Sequence, residues 1–187
     1  MEPRRRRHSL AAAALAGELA VRYGFGDAAA VAHAALFHDV GRSLGPAEGV
    51  HAAAAYGWPA DELEQAGGMG LTHGPAGAAI ASAVIEDELA ASIRYHVTGR
   101  PAATLADKIV MAADAAEPTR AYAWAATARL ALAASLDVAM AFWLKLKTES
   151  VRAAGRPVHP RALAALADVD AAVLAEAERL VVPFLAR

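Results

Sequence analysis

The chain has 187 residues, 57% of them hydrophobic and 20% charged, enough for one domain that buries about two-thirds of its unfolded surface. A formal net charge of -2 argues against broad nucleic-acid binding, so no nucleic-acid partner is expected. The lack of cysteine excludes disulfides, thiolate metal sites and a cysteine nucleophile, and leaves any metal chemistry to His, Asp and Glu.

Alanine dominates and strand-forming runs are almost absent, which is the pattern of an all-α bundle. Residues 1–7 read as a basic N-terminal tail. Together with Leu10 to Gly17 they imitate a signal peptide, but Glu18 and Arg22 continue the run at helical spacing, so a first helix is expected from Ser9 to Tyr23. Its buried residues should be Leu15, Leu19 and Val21, and Gly24-Phe25-Gly26 should end it. Asp27 caps a nearly all-apolar second helix from Ala28 to Val40, and Gly41 releases the chain.

Short helices follow from Pro46 and after Trp58-Pro59, and Gly67 to Gly70 breaks the second. A helix opening at Pro75 should reach Ile85, the next should run from Glu86 to His96, and Thr98 to Pro101 is a break. Leu105 to Ala116 is stopped by Pro118. Helices from Arg120 to Ala134 and from Asp137 to Ala153 precede a loop at Gly155 to Pro160 and a C-terminal helix over residues 161–182. The apolar stretch Ala121 to Leu144 contains Arg129 and Asp137, so no membrane span is expected and a cytoplasmic location follows.

His38-Asp39, near the end of an apolar helix, gathers meaning from His8, His73, His96 and Asp114, each near an expected helix end or on an apolar helix. Taken singly, His8 reads as a solvated neighbour of arginines, His73 as a loop residue and His96 as a helix-terminal cation. Asp114 lies in the apolar run Val110 to Asp114, where an ionised carboxylate is costly without a partner. As a set, these residues suit two hard or borderline divalent metals. Asp39 is the natural bridge, with His8, His38 and Asp114 on one ion and His73 and His96 on the other. Asp39, His73 and His96 surround the more open ion and are the catalytic candidates.

The stretches Arg7-His8-Ser9, Leu36 to Asp39, Leu71 to Pro75, Ile93 to Pro101, Lys108 to Asp114 and Glu117-Pro118 with Arg120 occur in an order that resembles the HD-domain metal-dependent phosphohydrolases. Among these the chain is similar to the YqeK-like symmetrical bis(5'-nucleosyl)-tetraphosphatase family. Val158-His159-Pro160 extends the likeness, so it covers about His8 to Pro160. The resemblance implies an all-helical HD fold and two divalent or mixed-valent metal ions held by those six residues. Iron is the expected metal and manganese the first alternative. It also implies symmetrical hydrolysis of diadenosine tetraphosphate to two ADP. Another HD-fold substrate (a nucleotide monophosphate, a cyclic nucleotide or an alarmone) and a non-catalytic helical binding protein are the alternatives.

A polyphosphate needs further cations, and Arg42, Arg94, Arg100, Lys108 and Arg120 lie beside the ligand motifs, with Thr98 as a hydroxyl donor. Arg100 is the preferred choice because it sits in a glycine-containing break. Relatives often carry lysine at Arg42 and glycine at Thr119, which makes the metal site a firmer expectation than the substrate. His33 lies about 140° round the helix from His38 and should face elsewhere, as should His51. Glu117 is read as a cap or as an orienter of a ligand histidine. Tyr122, Trp124 and Trp143 are read as core or homodimer contacts rather than base-stacking surfaces.

Overall fold

The computed structural model describes residues 2–185 and is all-α among them. Helix α1 (Pro3–Arg22) packs on α2 (Ala28–Phe37) and α7 (Leu105–Ala116), and α2 also touches α5 (Met69–Ala81) and α6 (Asp87–Tyr95). The short helices α3 (Pro46–Ala55) and α4 (Glu62–Ala66) cover α5. On the far side of α7 lie α8 (Ala125–Ala134) and the long α9 (Leu136–Ala153), followed by α10 (Pro160–Ala167) and α11 (Ala171–Val181). The core is built largely of buried alanines with Ile93, Ile109, Val110, Met111, Phe142 and Leu144. Small side chains let the axes approach closely. No helix among the described residues is long and apolar enough to cross a membrane.

Several expected boundaries move, each for a local reason. The arginine run is not a tail: Glu2 accepts from the Arg4 and Arg5 amides and Pro3 occupies the first turn, so α1 starts six residues before the expected Ser9. Val21 is 75% exposed rather than buried, because two residues place it about 200° from Leu19. Helix α2 stops at Phe37, and a 3₁₀ turn at Val40–Ser43 follows His38 and Asp39. Pro75 lies inside α5 rather than opening it, since the chain already turns at Gly68 (φ 56) and helix begins at Met69. Residues 120–124 form a turn and not the first turn of α8, because Arg120 is drawn back to the Asp114 carbonyl, Nε to O 2.9 Å. The expected C-terminal helix is two helices, with Asp170 capping the second through the Ala172 and Val173 amides.

The approach of α5 to its neighbours depends on glycines. A Cβ on Gly41 would stand 2.6 Å from the Gly77 amide nitrogen and overlap the His73 carbonyl oxygen. One on Gly74 would stand 2.7 Å from the Arg94 carbonyl oxygen. Bare backbone at these positions brings the turn after Asp39, the middle of α5 and the end of α6 together.

Candidate metal centre

Five elements deliver the six nominated residues to one place. His8 comes from α1, His38 and Asp39 from the end of α2, His73 from α5, His96 from the end of α6 and Asp114 from α7. All four histidines and Asp114 are buried. Candidate ligand atoms of His8, His38 and Asp39 lie within 4.8 Å of one another, as do those of Asp39, His73 and His96. Asp39 is common to both triads. Asp114 Oδ1 lies 3.1 Å from His8 Nε2 and 3.4 Å from His38 Nε2, on the first triad's side.

The imidazoles are oriented in one sense. Nδ1 donates to the Glu117 carboxylate from His8 (3.0 Å), to the Ala35 carbonyl from His38 (2.6 Å), to the Met69 carbonyl from His73 (2.7 Å) and to the Ile93 carbonyl from His96 (2.7 Å). Every Nε2 therefore presents a lone pair inward. His8 and His38 meet Nε2 to Nε2 at 3.0 Å, and His73 and His96 at 3.1 Å. Lone pairs and carboxylates gathered this way need cations between them, and buried backbone or carboxylate acceptors behind ligand histidines are the arrangement that holds them for a metal. The donor set of nitrogen and oxygen fits iron, manganese or zinc.

Two guanidiniums reach the same groups. Arg42 donates to Asp39 Oδ1 (2.5 Å) and to His73 Nε2 (3.1 Å), and Arg120 donates to the Asp114 carboxylate and to His8 Nε2 (3.1 Å). The electrostatics follow from these neighbours. Burial alone would raise Asp39 and Asp114. The surrounding imidazoles, with Arg42 on one and Arg120 on the other, overcome it and hold both well below the ordinary carboxylate range. Burial opposes charge on His38, yet Asp114 and Asp39 prevail and raise it. Burial and neighbouring cations lower His73 well below the usual value, and burial with His38 lowers His96 to about 4. His73 and His96 are therefore neutral at physiological pH, the form that ligates metal.

Not every nominated residue is here. Arg94 is buried in a two-pronged pair with Glu64, NH1 to Oε1 2.5 Å and NH2 to Oε2 2.7 Å. Thr98 is buried and bonds the Gly99 carbonyl. Arg100 pairs with Asp107 at 2.8 Å and Lys108 with Asp137 at 2.6 Å, beside a separate small cavity. None of these four is among the residues lining the cavity over the His/Asp cluster, and each is engaged by a neighbouring group instead. His33 and His51 are exposed, as expected. His159 caps α10 and bonds Asp61 at 2.9 Å, and Arg161 joins Asp61 and Glu64 in the same network. That network already carries its own cations and is a clasp between α4, α6 and α10.

A cavity of about 910 Å³ opens over the His/Asp cluster, lined by His8, Asp39, Asp114, Glu117, Arg42 and Arg120. Sequence reasoning missed the rest of its cations: Arg4, Arg5 and Arg7 from the first turns of α1, and Lys147 from α9. Six of the chain's 18 Lys and Arg residues thus face one cavity in a protein of net charge -2. The Pro-Arg-Arg-Arg-Arg-His order could have signalled the α1 residues had Pro3 been taken as a helix start. Nothing local marks Lys147.

Residues 5–119 match the model of the HD domain family. Over 118 residues the chain is 34% identical to the symmetrical bis(5'-nucleosyl)-tetraphosphatase of Bacillus subtilis (strain 168), and it spans only 62% of that relative's length and 62% of its own. A crystal structure from Clostridium acetobutylicum, described as a predicted HD superfamily hydrolase involved in NAD metabolism, aligns with a TM-score of 0.82 at 26% identity over 90% of each chain.

Proposed function

The chain belongs to the HD domain family, whose members bind divalent metals, and from that premise we propose that it hydrolyses diadenosine tetraphosphate symmetrically to two ADP. The observation that carries the reading is Asp39's membership of both ligand triads beneath a cavity rich in cations. The name of the Bacillus subtilis relative supplies the substrate class. His8, His38, Asp39 and Asp114 would hold one ion, and Asp39, His73 and His96 the other. When bound, such a pair supplies an activated water of lowered pKa and neutralises charge on phosphoryl oxygens.

The chain's own side chains account for the remaining requirements. A new bond forms between the water oxygen and one of the two central phosphorus atoms. The bond from that phosphorus to the bridging oxygen breaks, and one ADP leaves on each side. Arg42 and Arg120 stand at the two ends of the cluster with N–H groups suited to phosphate oxygens. Lys147 adds a point charge on the cavity wall. No side-chain nucleophile is required.

The test is product analysis. Purified protein loaded with iron or manganese should convert diadenosine tetraphosphate to ADP alone, and His38→Ala should be silent. ATP and AMP as products, or turnover of another nucleotide with none of this one, overturns the substrate assignment. Equal activity in His38→Ala overturns the site.

A further inference from the structure

Beyond the His/Asp cluster, the same cavity carries an aromatic ladder that the reaction does not use. Trp143 on α9 is buried at 3% exposure, and Trp124 tilts on it with ring centroids 5.0 Å apart. Tyr122 stacks on Trp124 at 5.1 Å and 11°, and is 46% exposed. All three line the cavity. A core indole thus fixes the plane of a second indole, which fixes the plane of an exposed phenol at the rim. An exposed aromatic held in a defined orientation loses little entropy when another flat group covers it.

The ladder is joined to the metal ligands by one residue. The Arg120 guanidinium bonds Asp114 and His8 and also lies 5.7 Å from the Tyr122 ring centroid and 5.9 Å from that of Trp124. The Arg4 guanidinium also lies 5.7 Å from the Tyr122 centroid and reaches its hydroxyl at 3.5 Å. Among the described residues no carboxylate comes within ion-pair distance of the Arg4, Arg5, Arg7 or Lys147 side chains, whereas Arg42 and Arg120 have Asp39 and Asp114. Unpaired cations flanking an exposed ring in one cavity match a ligand that is both anionic and flat.

We propose that Tyr122, set by Trp124, is the nucleobase platform of this site, and that Arg4 with Arg5 on the first turn of α1 holds phosphates of the same nucleotide. The inference rests on the nucleotide reading above and deepens it by assigning the residues that read the base. The same α1 whose Glu2 cap and Pro3 start were missed from sequence then serves two purposes, delivering His8 to the metal ligands and arginines to the phosphates. Base–aromatic stacking accepts any base and favours the larger purine face, so the platform gives affinity for adenine without excluding guanine.

Equilibrium titration by calorimetry with ADP and, separately, with pyrophosphate tests this. Tyr122→Ala should weaken ADP roughly tenfold and pyrophosphate by less than about twofold, the difference being the stacked base. Tyr122→Phe should restore ADP binding, because the ring and not the hydroxyl is required. Arg4→Gln should weaken both probes, more at low salt. Unchanged ADP affinity in Tyr122→Ala, or equal weakening of ADP and pyrophosphate, overturns the proposal, as does wild type that binds no ADP. Since binding is read without turnover, the base platform and the tetraphosphatase reading fail separately. A protein that cleaves no diadenosine tetraphosphate but shows this pattern sinks only the latter.

Discussion

His8 Nε2 and His38 Nε2 face each other at 3.0 Å, although in the neutral rings neither nitrogen carries a proton, because the Nδ1 protons point to Glu117 and to the Ala35 carbonyl. Two lone pairs at that separation are favourable only with a cation between them, a proton or a metal. The raised pKa of His38, with Asp114 beside it, is the proton's form of that demand. A divalent ion meets it better, since His73 and His96 repeat the arrangement at 3.1 Å and Asp39 lies between the pairs.

The backing of His8 by Glu117 makes one half of the centre separable from the other. Glu117 also accepts from the Thr119 hydroxyl at 2.9 Å, so its carboxylate is held by a second partner besides His8. Glu117→Ala should weaken the ion at His8, His38 and Asp114 by about 10–100-fold and leave the ion at His73 and His96 in place. Metal titration should then show one tight and one weak site. Two unchanged sites would show that Glu117 only caps α7.

Gly41 is required by close approach rather than by its backbone angle. In Gly41→Ala the new methyl meets the backbone of α5 at His73 and Gly77, so the turn carrying Asp39 must move away from His73. Overpacking of this kind costs about 1–3 kcal/mol, and the displacement should also lower metal content. Denaturant midpoints and metal analysis of the variant check both. Wild-type values in each would contradict the packing argument.

The Arg94–Glu64 pair concerns stability alone. Glu64→Ala leaves a buried guanidinium at 5% exposure with only the Pro59 carbonyl, and breaking such a pair costs about 3–5 kcal/mol. Folded variant at low temperature should still bind its full complement of metal, because Glu64 touches no candidate ligand. Loss of metal with unchanged stability would place Glu64 in the site instead.

Asp61 gives a pH signature. Burial opposes its ionisation, but the Glu64 amide, His159 and Arg161 together outweigh it and lower its pKa below the ordinary 3.8. A depressed carboxylate stabilises the fold above its unfolded value and loses that contribution as pH falls toward the folded one. Asp61→Asn keeps a capping side chain, so only the charge is removed. The wild-type advantage should be under about 1 kcal/mol, constant above about pH 4 and vanishing below it, since the group is exposed. Chemical denaturation from pH 3 to pH 7 measures it, and an advantage that grows on acidification would reverse the sign argued here.

Much of the fold was legible because the helices end at residues whose chemistry is local. Thr104 with Asp107 opens α7 and Pro118 stops it, and the expected Leu105 to Ala116 is the observed helix. The six candidate ligands were legible as residue types near helix ends, but their convergence was not, since it depends on Gly41, Gly74 and Gly77 admitting neighbouring backbones. The cations were read poorly for the same reason. Arg94, Arg100 and Lys108 are adjacent to His96 and Asp114 in sequence yet pair with Glu64, Asp107 and Asp137. Arg4, Arg5 and Lys147 are distant in sequence from most ligands and share their cavity.

The shared carboxylate is the central claim, and metal stoichiometry tests it most directly. Wild type and His33→Ala, whose exposed ring lies on α2 just before the His38-Asp39 pair, should each bind two ions per chain. Asp39→Ala should bind fewer than one, because both triads lose a member at once. Retention of two ions by Asp39→Ala would contradict the account.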